Sequence, residues 1–209
     1  MADILRPALR PALRPALRPA LAAVANAVPR GSRVLDIGCG DGALLAHLRS
    51  ARDVQGHGID VSATNVATAV ARGLSVVQGD ADIDLIDYPD NAFDVAILSD
   101  TLQAMKRPGH ILDELLRIAS SAIVSFPNFG HWRVRAALGF GGRMPVTRTL
   151  PISWHDTANI HLCTIDDFRA LVAERRYHIT SAAYLAGGQP RGPLLSNLLA
   201  EQAVFALSR

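Results

Sequence analysis

The chain has 209 residues, which is enough for one domain with a sizeable core and short for two. Hydrophobic residues make up 49% of the chain and charged residues 19%, as in ordinary soluble globular proteins, and no apolar run approaches the length needed to span a bilayer. The formal net charge is only +2 and no basic surface interleaved with aromatic residues is evident, so neither a membrane nor nucleic acid is expected as a partner. The two cysteines do not resemble a disulfide framework, which favours a reducing, cytoplasmic setting.

The N-terminal segment is a short repeat, LRPALRPALRPALRPAL, over residues 5–21. A proline at every fourth position removes helical hydrogen bonds and crowds the preceding turn. Residues 1–20 are therefore predicted to form an extended or disordered tail, and residues 21–209 a single domain that opens with a short helix over 21–28.

From residue 29 onward, strand and helix patterns alternate. Short apolar runs predict five strands, and the end of the chain adds two more, at 32–38, 55–61, 74–80, 93–100, 121–127, 177–184 and 202–208. Amphipathic spacing predicts helices at 43–51, 62–73, 107–119 and 165–176. This alternation predicts an α/β fold with a doubly wound, mostly parallel, seven-stranded sheet. Ligands of such sheets bind beyond the carboxyl ends of the strands.

The strongest functional signal is VLDIGCGDG at 34–42, between the first strand and the next helix. Its three glycines let the backbone approach a ligand closely; they are Gly38, Gly40 and Gly42. With Ala43 the loop also satisfies the dinucleotide fingerprint G-x-G-x-x-G/A, so nicotinamide binding is an alternative. Asp36 and Asp41 favour a different ligand, because carboxylates repel a pyrophosphate but suit the ammonium and sulfonium groups of S-adenosylmethionine.

Two more acidic residues end the next strands. Asp60 ends the second strand, where a carboxylate can accept hydrogen bonds from both ribose hydroxyls, although this position fits NAD equally well. Gly79 and Asp80 end the third strand, where an adenine amino group could be recognised. Ser99, at the end of the fourth strand, could line the methyl-donor end of such a pocket together with Asp100 and Gln103, for which turn or helix-cap roles are the alternative.

The stretch SFPNFGHWRVR, residues 125–135, follows the fifth strand and contains no obvious nucleophile. It predicts a turn followed by a basic amphipathic helix over 131–138. Its tryptophan and arginines are side-chain types enriched at binding hot spots. We interpret it as a helical lid over the cofactor pocket that doubles as a docking surface; an ordinary lid with solvated arginines is the alternative. The residues assigned to this lid are Asn128, Phe129, His131, Trp132, Arg133 and Arg135.

His155, Asp156 and His161 suggest a metal site, but their spacing is not a recognised ligand pattern and no thiolate is well placed. No metal is predicted.

The order of D-x-G-x-G-x-G, an acid ending strand two and Gly-Asp ending strand three resembles class I S-adenosylmethionine-dependent methyltransferases. Four further stretches resemble the methionine biosynthesis protein MetW family over residues 18–208; they are SFPNFGHWRVR, GRMPVTRTLP, NIHLCTIDDF and LLSNLLAEQAVF. The chain departs from that pattern at His155, where an aromatic residue is expected, at Ala158, where proline is expected, and at Asp100, where glutamine is expected. These departures weaken any role for His155 or Asp100.

The resemblance implies a Rossmann-like methyltransferase fold, S-adenosylmethionine as cofactor, and a homoserine O-acetyl- or succinyltransferase as the partner that the protein activates. It carries cofactor-binding roles over to Asp36, Gly38, Cys39, Gly40, Gly42, Asp60 and Asp80. Their neighbours complete the predicted site, namely Val61, Gly79, Ala81 and Ser99. No catalytic residue or methyl acceptor is implied, and the motif with which amine-methylating relatives hold their target is missing from LSDTLQAM at 98–105. The alternatives are an active methyltransferase on a small metabolite and, more remotely, a nicotinamide enzyme.

Overall fold

The computed structural model describes residues 17–209; residues 1–16, most of the predicted tail, lie outside the described residues. The strands are β1 (Arg33–Ile37), β2 (Gln55–Asp60), β3 (Ser75–Gln78), β4 (Phe93–Ser99), β5 (Ala119–Pro127), β6 (His178–Ala186), β7 (Gln189–Arg191) and β8 (Gln202–Ser208). The helices are α1 (Pro19–Ala27), α2 (Ala43–Arg52), α3 (Ala63–Ala71), α4 (Ala81–Asp84), α5 (Pro108–Ile118), α6 (Trp132–Gly141), α7 (Ile165–Glu174) and α8 (Ser196–Leu199).

All the strands form one sheet in the order β3-β2-β1-β4-β5-β8-β6-β7. Strands β1 to β5 are parallel, whereas β8 runs antiparallel to both β5 and β6. The predicted doubly wound, mostly parallel fold is confirmed. Helices cover both faces, so the central strands β1, β4 and β5 are apolar along most of their length, as parallel strands buried on both sides must be.

The predicted count of seven strands was wrong, because a short β7 makes eight in the described chain. Gly187 and Gly188 both have positive φ angles, of 61° and 77°, and form the two-residue turn that folds β7 back onto β6. Such turns need left-handed residues, so the Gly-Gly pair was an available hairpin signal. Pro190 is tolerated in β7 because this strand lies at the edge of the sheet.

Helix α1 begins at Pro19, inside the range assigned to the tail, and proline is well tolerated in the first turn of a helix. Ala20, Val24 and Val28 are buried, the last two in an apolar cluster with side chains of β1 and α2. Arg18 immediately precedes this helix, and its guanidinium lies 3.7 Å from the carboxylate of Asp100, the residue after β4. The N-terminal part of the described chain therefore crosses the carboxyl ends of the central strands.

The insert between β5 and α7 consists of helix α6 and a long irregular stretch, residues 142–164. Helix α6 is close to the predicted 131–138 and extends three residues further, to a left-handed C-cap at Gly142. The backbone N–H groups of Ile160 and His161 donate to the carbonyl oxygen of Gln103 at 2.9 and 3.0 Å. Arg148 donates to Glu201 at 2.8 Å. These contacts fasten the insert to the carboxyl end of β4 and to the amino end of β8.

The larger core cluster is centred on three aromatic rings that pack where β5, β8 and α7 meet. Phe168 lies 4.9 Å, centroid to centroid, from both Phe126 and Phe205, and all three side chains are buried. This cluster joins the antiparallel half of the sheet to the parallel half.

We expect Phe205→Ala to lower the free energy of unfolding by about 3–5 kcal/mol, because it leaves a cavity among rings that cannot fully collapse. Denaturant unfolding would measure the loss. Phe140→Ala is the matched control, since Phe140 is 95% exposed. Equal losses in the two variants would contradict this account of the core.

Candidate functional site

The glycine loop after β1 has the backbone geometry that the sequence predicts. Gly38 and Gly40 have φ angles of 70° and 58°, a left-handed conformation that favours glycine. A β-carbon at Gly38 would lie 2.5 Å from the hydroxyl of Thr101, so the loop packs closely against the segment after β4. A β-carbon at Gly40 would meet nothing within 4 Å. Gly40 therefore presents bare backbone to an open edge of the site.

The carboxylate of Asp60, at the end of β2, holds this loop in place. One of its oxygens, Oδ2, accepts the N–H of Gly40 at 2.8 Å. The other, Oδ1, accepts the N–H of Ser62 at 2.9 Å and the side-chain amide of Asn65 at 3.1 Å. Only 7% of Asp60 is exposed. Because a carboxylate has about four acceptor positions, Oδ2 keeps the capacity for a further donor.

Asp36 is the least satisfied polar side chain in this region. It is 2% exposed, and its buried Oδ1 has no hydrogen-bond partner among the described residues. Burial, followed by the negative charge of Asp60, raises the pKa of Asp36 from 3.8 to about 8. A buried carboxyl oxygen without a partner is costly, and a donor supplied by a ligand would satisfy it.

Asp41, predicted to flank the loop with Asp36, has a different environment. It is exposed, forms an ion pair with Arg72 at 2.9 Å and accepts the N–H of Ala43 at 3.1 Å. Only Asp36 is therefore available to a buried ligand, because Asp41 lies on the surface and binds the first N–H of α2.

The end of β3 joins the same region through the backbone. The N–H of Gly79 donates to the carbonyl oxygen of Asp60 at 3.1 Å. The Asp80 side chain caps α4 by accepting the N–H of Asp82 at 3.0 Å. Val61 is 71% exposed and Ala81 is partly buried beside them. The structure therefore places the predicted residues of the first three strands at one edge of the sheet.

Cys39 packs beneath the glycine loop as an ordinary apolar side chain. It is 8% exposed, and burial together with the charges of Asp36 and Asp60 raises its pKa to about 12. The thiolate is the reactive form of cysteine, so this protonated thiol is not a nucleophile at neutral pH. Burial also raises the pKa of Cys163, whose sulfur accepts a hydrogen bond from Gln103 at 3.3 Å.

The end of β4 and the segment after it form hydrogen bonds to β5 and to the insert. The hydroxyls of Ser99 and Ser125 lie 3.0 Å apart. Gln103 is 1% exposed, and its amide donates to the carbonyl oxygen of Pro127 at 3.1 Å. Sequence patterns did not reveal that Gln103 anchors the insert, because its partners lie far away along the chain.

The predicted lid residues fall into two groups. Asn128 is 1% exposed; its amide donates to the carbonyl oxygens of Asn197 and Ala200 at 2.9 and 2.8 Å. His131 is 6% exposed and caps α6 by accepting the N–H of Arg133 through Nδ1. Burial lowers the pKa of His131. These two side chains fix the start of the insert and offer little contact surface of their own.

The side chains of the second group are exposed to solvent, except for that of Phe129. Trp132 is 47% exposed, and the guanidinium of Arg133 lies 5.3 Å from the centre of its ring, a cation–π arrangement. Arg135 is exposed and donates to the carbonyl oxygen of Gly130 at 2.6 Å. Phe129 is partly buried and lines a cavity beneath the irregular part of the insert. Trp132, Arg133 and Arg135 therefore form the exposed face of α6.

Glu201 is a site residue that sequence reasoning missed. It lies next to β8 and binds Arg148 and the N–H of Gly187, at 2.8 and 3.0 Å, with Arg133 at 4.0 Å. Burial favours the neutral acid, but these donors outweigh it and hold the pKa of Glu201 below its usual value. A lone glutamate near the end of the chain gives no local signal of this role.

The candidate metal residues are not brought together. His155 and Asp156 are adjacent and exposed, with 3.3 Å between Nε2 and Oδ2. Over residues 17–209, no group of three or more His, Cys, Asp or Glu side chains is arranged to hold a metal ion. In the same range, no helix is long and apolar enough to cross a membrane.

The parallel strand order and the glycine loop define a class I methyltransferase fold. The chain is similar to an S-adenosylmethionine-dependent methyltransferase of Thermotoga maritima, described as a possible histamine N-methyltransferase, with a TM-score of 0.65, 16% identity and coverage of 90% of this chain and 86% of that one. It is also similar to a chain in the complex between the Haloferax volcanii Trm112 methyltransferase activator and a putative methyltransferase, with a TM-score of 0.66, 17% identity and coverage of 91% and 89%. Identities this low show the fold alone.

The sequence profile of the family described as "Methionine biosynthesis protein MetW" matches residues 18–207, so the chain belongs to this family. The "Bifunctional methionine biosynthesis protein MetXA/MetW" of Rhodopirellula baltica is 34% identical over 199 residues, which cover 90% of this chain and 32% of that relative. The chain thus spans about a third of the length of that relative. It is a MetW-type methionine biosynthesis protein with a methyltransferase fold.

The raised pKa of Asp36 predicts a pH-dependent contribution to stability. The folded protein holds this proton more tightly than the unfolded chain, so the stabilisation is complete below the unfolded pKa of 3.8 and is lost as the pH rises to about 8. Asp36→Asn removes this titration. We compare the melting temperature of Asp36→Asn with that of the parent at each pH. We expect the difference, variant minus parent, to increase by at least ~3 °C when the pH is raised from about 5 to about 8. Asp41→Asn, in the same loop, is the control; a difference that stays constant for Asp36→Asn would contradict the prediction.

Proposed function

We propose that this protein binds S-adenosylmethionine in the glycine-loop site and acts as an activating partner of a homoserine O-acyltransferase. The observation that carries the first part is the buried, unpartnered oxygen of Asp36 beside the open backbone of Gly40. The observation that carries the second is the relative whose single chain combines MetXA and MetW.

The residues present fit this cofactor chemically. Asp36 would hold the ammonium group at the methionine end, because a cation beside it favours the ionised carboxylate. Asp60 has the remaining acceptor capacity that ribose hydroxyls require. Gly79, Asp80 and Ala81, which follow β3, would recognise the adenine. When bound, S-adenosylmethionine supplies an activated methyl group, so the chain need only bind and orient it.

Charge also disfavours the nicotinamide alternative. The groups nearest the loop are the carboxyls of Asp36 and Asp60, which offer a pyrophosphate no positive partner. Arg72, which contacts the loop at Asp41, is already paired with the carboxylate of that residue on the surface.

The exposed face of α6 supports the partner proposal. The Arg133 guanidinium lies over the ring of Trp132, and the same guanidinium lies 4.0 Å from the carboxylate of Glu201; both side chains are exposed. Further large apolar side chains on the insert are exposed, including Phe140 and Trp154 at 95% and 72%. Protein contact surfaces are enriched in aromatic and arginine side chains arranged this way.

An active methyltransferase on a small metabolite is the second candidate. A cavity of about 330 Å³, lined in part by Asp100, lies beyond the carboxyl ends of β4 and β5 and is large enough for a small acceptor. Formation of S-adenosylhomocysteine in a cell extract, lost in Asp36→Asn, would favour this function.

Cofactor binding is tested by calorimetry with S-adenosylmethionine and, in parallel, NAD. We expect the parent to bind S-adenosylmethionine and not NAD, and Asp36→Asn and Asp60→Asn each to weaken binding about tenfold or more, since each removes a charged acceptor. Asparagine is preferable to alanine at position 60, because it can still accept a hydrogen bond at the loop. Asp41→Asn is the control. Binding of NAD by the parent, or unchanged affinity in both site variants, would refute the assignment.

The partner proposal is tested by assaying the cognate homoserine O-acyltransferase alone and with this chain added. We expect its activity to rise, and the concentration of chain needed for half the rise to increase about tenfold or more in Arg133→Ala, as for a hot-spot residue. Arg30→Ala, an exposed arginine near the amino end of β1, is the control and should behave as the parent. No rise with the parent chain would rule out activation and leave the methyltransferase alternative.

A further inference from the structure

A polar cavity of about 330 Å³ lies beyond the carboxyl ends of β4 and β5, apart from the glycine loop. It is bounded by the start of α1, the insert and the start of β8. Its charged and amide side chains are Arg18, Asp100, Arg148, Asn159 and Gln202. The cavity therefore brings one carboxylate and two guanidinium groups, from distant parts of the chain, around one small volume.

Asp100 is held in an unusual conformation that directs it here. Its φ angle is 54°, a left-handed value that only glycine, asparagine and aspartate adopt readily. Its N–H donates to the carbonyl oxygen of Ser125 at 2.9 Å, which fixes this turn to β5. The side chain is 23% exposed, and burial raises its pKa against the opposing effects of Arg18 and Ser125. A nearby cation would stabilise its ionised form.

The two arginines retain capacity for an anion. Arg18 lies 3.7 Å from Asp100, a loose ion pair, and its side chain is 71% exposed. Arg148 uses Nη2 to bind Glu201, and its side chain is 62% exposed. An arginine has five N–H donors in a planar fork that suits a carboxylate.

We propose that this cavity binds an α-amino acid, with its ammonium group on Asp100 and its carboxylate on Arg18 and Arg148. A ligand with a carboxylate alone would meet repulsion from Asp100, and a simple amine would meet repulsion from the two arginines. An α-amino acid carries both charges on neighbouring atoms, which matches a carboxylate and a guanidinium that already lie close together. The amides of Asn159 and Gln202 supply further polar contacts.

The side chain of the ligand is apolar. A second cavity, of about 420 Å³, adjoins the first, and Thr149, Pro151 and Asn159 line both. The rest of its wall is largely hydrophobic and includes Trp154 and Ile160. An unbranched hydrocarbon side chain that extends toward it would be removed from water, at a gain of roughly threefold or more in affinity per methylene.

This inference does not depend on the proposed cofactor or acyltransferase partner. The charged groups of the cavity belong to Arg18, Asp100 and Arg148, whereas the cofactor proposal rests on Asp36 and Asp60. Failure of the cofactor titration would leave the amino-acid site standing, and the reverse also holds.

The test is direct binding of L-norleucine to the full chain by calorimetry or ligand-observed NMR. Hexanoate and pentan-1-amine are the controls for charge, because hexanoate has only the carboxylate and pentan-1-amine only the ammonium group. L-alanine has both charged groups but lacks the long apolar side chain. We expect norleucine to bind about tenfold or more tightly than each of these three compounds, because each lacks a charged or apolar contact.

Three variants locate the site. Asp100→Asn, Arg18→Gln and Arg148→Gln should each weaken norleucine binding about tenfold, the effect of losing one charge-assisted hydrogen bond. Asparagine tolerates the left-handed backbone at position 100, so the fold should persist, as far-UV circular dichroism would verify. Arg143→Gln, the same charge change at an exposed position of the insert, is the control.

Several results would overturn the proposal. Unchanged affinity in Asp100→Asn, Arg18→Gln and Arg148→Gln would show that norleucine binds elsewhere. A loss of equal size in the control Arg143→Gln would show a general charge effect. Hexanoate or pentan-1-amine binding as tightly as norleucine would exclude a zwitterion site. No binding of norleucine to the folded parent at about 10 mM would exclude an amino-acid site of useful affinity.

Discussion

The carboxylate of Asp60 is the contact on which the candidate site depends. By accepting N–H groups from Gly40, Ser62 and Asn65, it joins the loop after β1 to the end of β2 and the start of α3. Burial raises the pKa of the neighbouring Asp36, and the negative charge of Asp60 adds to this effect. The Asp60 carboxylate thus fixes the shape of the loop and adds to the effect of burial on Asp36, whose buried Oδ1 has no partner among the described residues.

A second anchor, Glu201, performs a comparable role on the other half of the sheet. Its contacts with Arg148 and Arg133 hold the insert near the carboxyl end of β5, while Gln103 holds the later part of the same insert. Because both anchors are largely buried, the irregular residues 142–164 have a defined position without regular secondary structure of their own. The exposed aromatic and arginine side chains of α6 are therefore presented from a fixed base.

The charged side chains are arranged differently in two candidate sites. Around the glycine loop the buried groups are acidic, which suits a cationic ligand and disfavours a pyrophosphate. Beyond β4 and β5 an acid and two arginines face one cavity, which suits a ligand with both charges. The small overall net charge conceals this arrangement, because it sums over surfaces that are separated in the fold.

The sequence by itself determined the parallel part of the sheet, the glycine loop and the approximate ends of the first five strands, since hydrophobic periodicity and left-handed glycines are local properties of the chain. It also predicted that Asp36 and Asp60 lie at one edge of the sheet, because the carboxyl ends of parallel strands share that edge. Only the tertiary structure showed that Asp36 is buried without a partner whereas Asp41 is paired on the surface. It alone brought Arg18, Asp100 and Arg148 to one cavity and Glu201 to the insert, because these contacts join residues between about 50 and 130 positions apart, and no local pattern encodes such distances.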